Sequence, residues 1–148
     1  MESSLKSPAL TMRVIKYSFV ACAFMFIYVA ITLQVQPHQP VSQPFEIAIT
    51  FAGLASVLGG FVLPRFSFQA ADRSLQNSSA EAQLKRWTSK CVLSLALFEA
   101  CILFGLMLRY LGGRVRLVEL LFGVGIAAEV IWSPGTPPGP ESGEFPKN

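Results

Sequence analysis

Residues 90–111, KCVLSLALFEACILFGLMLRYL, decide the architecture of this 148-residue chain. From Cys91 to Leu108 the run is apolar apart from one serine, two cysteines and a single carboxylate, Glu99, near its midpoint. A helix rises ~1.5 Å per residue and a bilayer's hydrocarbon core is ~30 Å thick, so about 20 such residues cross it. A carboxylate at that depth costs at least ~2.5 kcal/mol, so something nearby must compensate it.

Outside this run the same composition repeats. The chain is 52% hydrophobic and 14% charged, with a mean hydropathy of +0.49, too apolar for an ordinary soluble domain. Its charges cluster in short stretches and leave four long segments nearly bare. The expectation is an all-α integral membrane four-helix bundle of up-down topology. A lead over residues 1–13 precedes spans at about 14–33, 45–63, 91–111 and 115–132, and a disordered tail follows over 134–148. The bundle domain covers 14–133. The net charge of +3 needs no nucleic acid, because the basic residues flank the spans. Cys22, Cys91 and Cys101 all fall within spans and show no CxxC spacing, which argues against a disulfide framework or zinc. His38 is the only histidine, so no metal site is expected.

The first span follows Lys6, Arg13 and Lys16. Its apolar run is longer than that of a signal peptide and its end makes a poor cleavage pattern, so an uncleaved helix is expected. A Pro/Gln-rich loop leads to the second span, where Pro64 should end the helix at Leu63. That span carries Ala48, Ala52, Ser56 and Gly60 at four-residue spacing, a small-residue row that lets a neighbouring backbone come close. Ser78 and Glu81 form a capping box that starts the third helix near Ser79. Lys85, Arg86, Trp87 and Lys90 make a basic, aromatic collar suited to anionic headgroups, and Trp132 is a matching anchor on the fourth span. Gly112 and Gly113 turn the chain between the third and fourth spans.

Nine of the 12 lysines and arginines fall on the side of the two termini and three (Arg109, Arg114 and Arg116) on the other. The positive-inside rule then puts both termini in the cytoplasm. Glu119, three residues after Arg116, is placed to offset part of the opposing charge.

The depths of Glu99, ~20 Å below Gly112, and of Ser56, ~15 Å below Glu46, agree to within a helical turn. Glu99 is therefore expected against the face of Ala48, Ala52, Ser56 and Gly60, with Ala96 and Ala100 thinning its own helix beside it. Glu129 lies at a comparable depth, ~22 Å past Arg114, where two carboxyls could share a proton. Three residues from Trp132, it is more readily expected to snorkel to the headgroups.

Leu95, Ala96, Leu97, Glu99, Ala100, Phe104, Gly105 and Leu106 resemble the second, ion-carrying helix of the c subunit (proteolipid) of rotary F-type ATP synthases. The whole chain also resembles small four-span bacterial membrane proteins. The proteolipid resemblance covers about twenty residues and implies a proton-binding carboxyl at Glu99, with Ser56 and Glu129 as candidate companions. The chain departs from that pattern in its glycine-poor second span, its long polar loop and its two extra spans. Ala100 and Cys101 follow the glutamate where sodium-type proteolipids have Ser or Thr, so the implied ion is a proton.

Two functions remain open at this point. One is a structural or interaction protein of the bacterial inner membrane, with a buried carboxylate fixing helix packing. The other is a proteolipid-like proton-binding subunit of a transport complex. The expected partners are the bilayer and either further copies of the chain or a larger membrane complex, with no cofactor. An enzyme is not expected, because the chain has no nucleophile–base pair, metal-ligand cluster or phosphate-binding glycine loop.

Overall fold

The computed structural model describes residues 8–32, 41–72 and 80–135. The start of the predicted lead, most of the Pro/Gln-rich loop, Ser78 of the capping box and the tail from residue 136 lie outside them. The described residues form four helices and no strands: α1 (Pro8–Thr32), α2 (Gln43–Asp72), α3 (Ala80–Tyr110) and α4 (Val115–Ile131). Residues 10–32, 43–65 and 81–110 are long and apolar enough to cross a membrane. α4 has 17 residues and so measures ~25 Å.

The helices alternate in direction, and α3 is the hub. It packs on all three others, α4 also touches α1 and α2, and the consecutive helices α1 and α2 do not meet. The sequence explains this centrality. Cys91, Ser94, Leu95, Phe98, Glu99, Cys101, Ile102, Gly105 and Leu108 are all buried, a stripe wide enough for three neighbours. α1 and α2 instead keep broad outer faces with exposed Phe24, Tyr28, Phe51 and Leu58.

Glycines set the close approaches. A Cβ added at Gly60 on α2 would stand 2.5 Å from Phe98 of α3, and one at Gly125 on α4 would stand 2.5 Å from Ile102. The α3–α4 turn closes on Gly112, whose φ of 80° suits a residue without a Cβ. There Gly112 N–H donates to Arg109 O and Gly113 N–H to Leu108 O, a helix cap that satisfies two orphan carbonyls.

Two expectations about α2 change. Helix α2 does not stop at Leu63: it continues through Pro64 to Asp72. A proline inside a helix removes the bond to the carbonyl four residues earlier, here that of Gly60. Ser94 Oγ of α3 donates to that carbonyl at 2.8 Å, so the helix runs on with its orphaned acceptor satisfied. The face that α2 buries is also not the small-residue row. It consists of Glu46, Ile49, Gly53, Val57 and Gly60; Ala48 and Ala52 are exposed and Ser56 is half-buried.

Candidate functional site

Glu99 does not meet the small-residue face of α2. That helix approaches α3 along Ser94, Phe98, Cys101 and Phe104, on a different side from Glu99. Ser56 spends its hydroxyl on its own helix, donating to Gly53 O at 2.7 Å. Ala96 is exposed and Ala100 half-buried. Glu99 turns towards α4, where its carboxyl neighbours that of Glu129 and the two interact electrostatically.

Antiparallel packing of α3 and α4 brings the two residues level. Gly125 lets the backbones close in beside Ile102, and Glu129 follows one helical turn later, opposite Glu99. Glu129 does not snorkel: its relative exposure is 0%, against 9% for Glu99. No donor from the rest of the described chain reaches any of the four carboxyl oxygens. The polar group each carboxyl meets is the other carboxyl. With a proton between them, one becomes the donor that the other lacks.

Charged side chains from α1 and α2 meet the two ends of α4. Lys16 of α1 reaches over its C-terminus, where Nζ donates to Val130 O at 3.1 Å and to Trp132 O at 2.7 Å. The same ammonium is within electrostatic reach of Glu129. It covers orphan carbonyls and puts a positive charge at the negative end of the helix dipole.

Glu46 of α2 does the converse at the N-terminus of α4. Its Oε1 accepts from Arg114 N–H at 2.8 Å, and its Oε2 accepts from Arg114 Nε at 2.6 Å. Arg109 Nε donates to Ala30 O of α1 at 3.3 Å. Two of the three arginines at this end thus engage α1 and α2 rather than Glu119, which is exposed. Lys16 and Glu46 are the residues at the ends of α4 that spacing alone did not single out. The available signal was a lone charge inside the first apolar run and a lone acid at the start of the second, since such residues need partners.

The collar residues sit at the opposite end of the bundle from Glu46. Lys85 is exposed, whereas Arg86, Trp87 and Lys90 are half-buried. Trp87 Nε1 donates to Pro134 O at 3.0 Å, tying α3 to the chain just past α4, and Trp132 packs edge-on to Phe98 at 6.3 Å. Among the described residues no group of three or more His, Cys, Asp or Glu side chains could hold a metal ion.

The chain matches no protein-family model, no curated protein and no solved structure.

Proposed function

We propose that this chain is a multi-pass membrane protein of structural or interaction role, in which Glu99 and Glu129 lock α3 to α4 through a shared proton. The observation that carries the reading is a pair of facing, buried carboxyls with no other donor. A pair holding one proton carries one negative charge, and Lys16 supplies the matching positive one. The three groups, from α1, α3 and α4, then form a nearly neutral cluster that only one packing register satisfies.

In this reading all four helices cross the bilayer and the basic end of the bundle, with both termini, faces the cytoplasm of a bacterial cell. The exposed apolar faces of α1 and α2 meet acyl chains or further membrane helices. The reading assigns no catalytic step and no cofactor.

A second reading shares the same observation. If the proton on the pair exchanges with solvent, the chain is a proteolipid-like proton-binding subunit of a transport complex, as the likeness around Glu99 suggests. The carboxyl partner is then Glu129, and Ser56 is no part of the site, because its hydroxyl is already used within α2.

Infrared spectroscopy of the full chain in membranes tests the shared proton. A protonated-carboxyl carbonyl band that both Glu99→Gln and Glu129→Gln shift in frequency is expected, because each leaves the other buried acid protonated but without its carboxylate partner. Carboxylate bands alone in the parent protein would refute the proposal. Retention of that band after transfer to deuterated buffer, without the downshift that deuteron exchange causes, favours the structural reading over proton transport.

A further inference from the structure

Where Pro64 takes α2 past Gly60, the end of the bundle opens into a recess of about 330 Å³ between α2, α3 and the chain after α4. Arg65 and Lys90 lie on its lining, together with the indoles of Trp87 and Trp132, Phe61 and the exposed side chain of Ile131. We infer that this recess binds the phosphate headgroup of an anionic phospholipid. The inference rests on the membrane reading above but not on the carboxyl pair.

Several observations converge on that occupant. The volume is at the lower end of the ~300–1,000 Å³ typical of small-molecule sites, suited to a headgroup rather than a folded partner. The deep polar groups already have partners: Ser94 holds Gly60 O, and Trp87 holds Pro134 O. Arg65, which is exposed, and Lys90 bring cationic side chains to the lining, and their chemistry selects a phosphate. The indoles mark the level at which amphipathic rings meet headgroups. Ile131, 77% exposed, continues the apolar wall along the outside of the bundle, where an acyl chain attached to that phosphate would run.

The chain has two tryptophans and both line this recess, so intrinsic fluorescence reports on it directly. The test puts the full chain into phosphatidylcholine vesicles containing a minor fraction of brominated lipid, either phosphatidylglycerol or phosphatidylcholine. Brominated phosphatidylglycerol is expected to quench more strongly at equal mole fraction. Arg65→Gln and Lys90→Gln should each reduce that preference about fivefold, the equivalent of ~1 kcal/mol per basic residue near a charged membrane surface.

Equal quenching by the two lipids would overturn the headgroup site while leaving the membrane reading intact. Absence of quenching by either would overturn the membrane reading itself. Inorganic phosphate is the control for a soluble source. A saturable change in emission with phosphate, reversing the lipid preference, would overturn the assignment to lipid, and no response is expected. Circular dichroism of each variant separates loss of the site from loss of the helices.

Discussion

Removing the Ser94 hydroxyl should destabilise the bundle only while Pro64 is present. Proline leaves the Gly60 carbonyl without its helical donor, and Ser94 Oγ supplies the replacement at 2.8 Å in a buried position. Ser94→Ala strands that carbonyl, and an unsatisfied buried acceptor costs ~1–3 kcal/mol. Interhelical hydrogen bonds in membrane proteins average nearer ~0.6 kcal/mol, so about 1 kcal/mol is expected here. In a Pro64→Ala background the alanine N–H bonds Gly60 O along the helix, and Ser94→Ala should then cost almost nothing. The four variants close a double-mutant cycle with a coupling energy of about 1 kcal/mol. Reversible unfolding in mixed micelles, followed by circular dichroism, measures it. An equal cost for Ser94→Ala in both backgrounds would refute the compensation and leave the passage of α2 through Pro64 unexplained.

Further outcomes follow from the same packing. Dicyclohexylcarbodiimide, which modifies protonated carboxyls in lipid, should label one of Glu99 and Glu129 per chain; mass spectrometry locates the adduct, and failure to label either weighs against a shared proton. Gly60→Ala and Gly125→Ala force Phe98 and Ile102 to move and should each cost ~1–3 kcal/mol in the same unfolding assay. Gly123→Ala, with nothing within 4 Å of its added Cβ, should be neutral or mildly stabilising by comparison. Lys16→Met removes the cap on the C-terminus of α4, so amide exchange should accelerate at Val130–Trp132 and not at Val115–Val118; uniform protection would contradict the capping role.

The four helices were legible because an apolar run of membrane length leaves few alternatives, and Glu99 stood out as the polar exception in its run. The neighbour of Glu99 was not legible from the small-residue row. A strict four-residue repeat advances ~40° round a helix at each step, so Ala48, Ala52, Ser56 and Gly60 drift off any one contact line. The face that packs runs through Glu46, Ile49, Gly53, Val57 and Gly60, where a step of three at each end corrects the drift of two steps of four, and it mixes small residues with branched ones. The end of α2 was misread for a different reason. The local cost of Pro64 was visible, but the hydroxyl that offsets it lies thirty-four positions beyond Gly60 on another helix. Glu129 was expected at the headgroups because Trp132 is close in sequence. It lies inside instead, on the α4 face that Gly125 brings close to Ile102 of α3.

The two caps on α4 bear on which of the two functional readings is simpler. α1 and α2 do not touch, yet each contributes one charged side chain to an end of α4: Lys16 to the C-terminus and Glu46 to the N-terminus. The shortest helix is thus held at both ends by partners whose signs match its dipole. The Lys16 contacts lie within one turn of Glu129, so a movement of α4 that exposed Glu129 would strain them. If the pair holds a proton, as proposed, the Lys16 ammonium stands beside the C-terminal end of α4 and opposes the approach of a further positive charge to Glu129 from that side. The arrangement favours a proton that stays, and with it a carboxyl pair that fixes packing. Lys16→Met is then the change that separates the two readings. It removes the barrier and the cap together, so a chain that gains proton exchange at the pair when Lys16 is lost was holding that proton for structure.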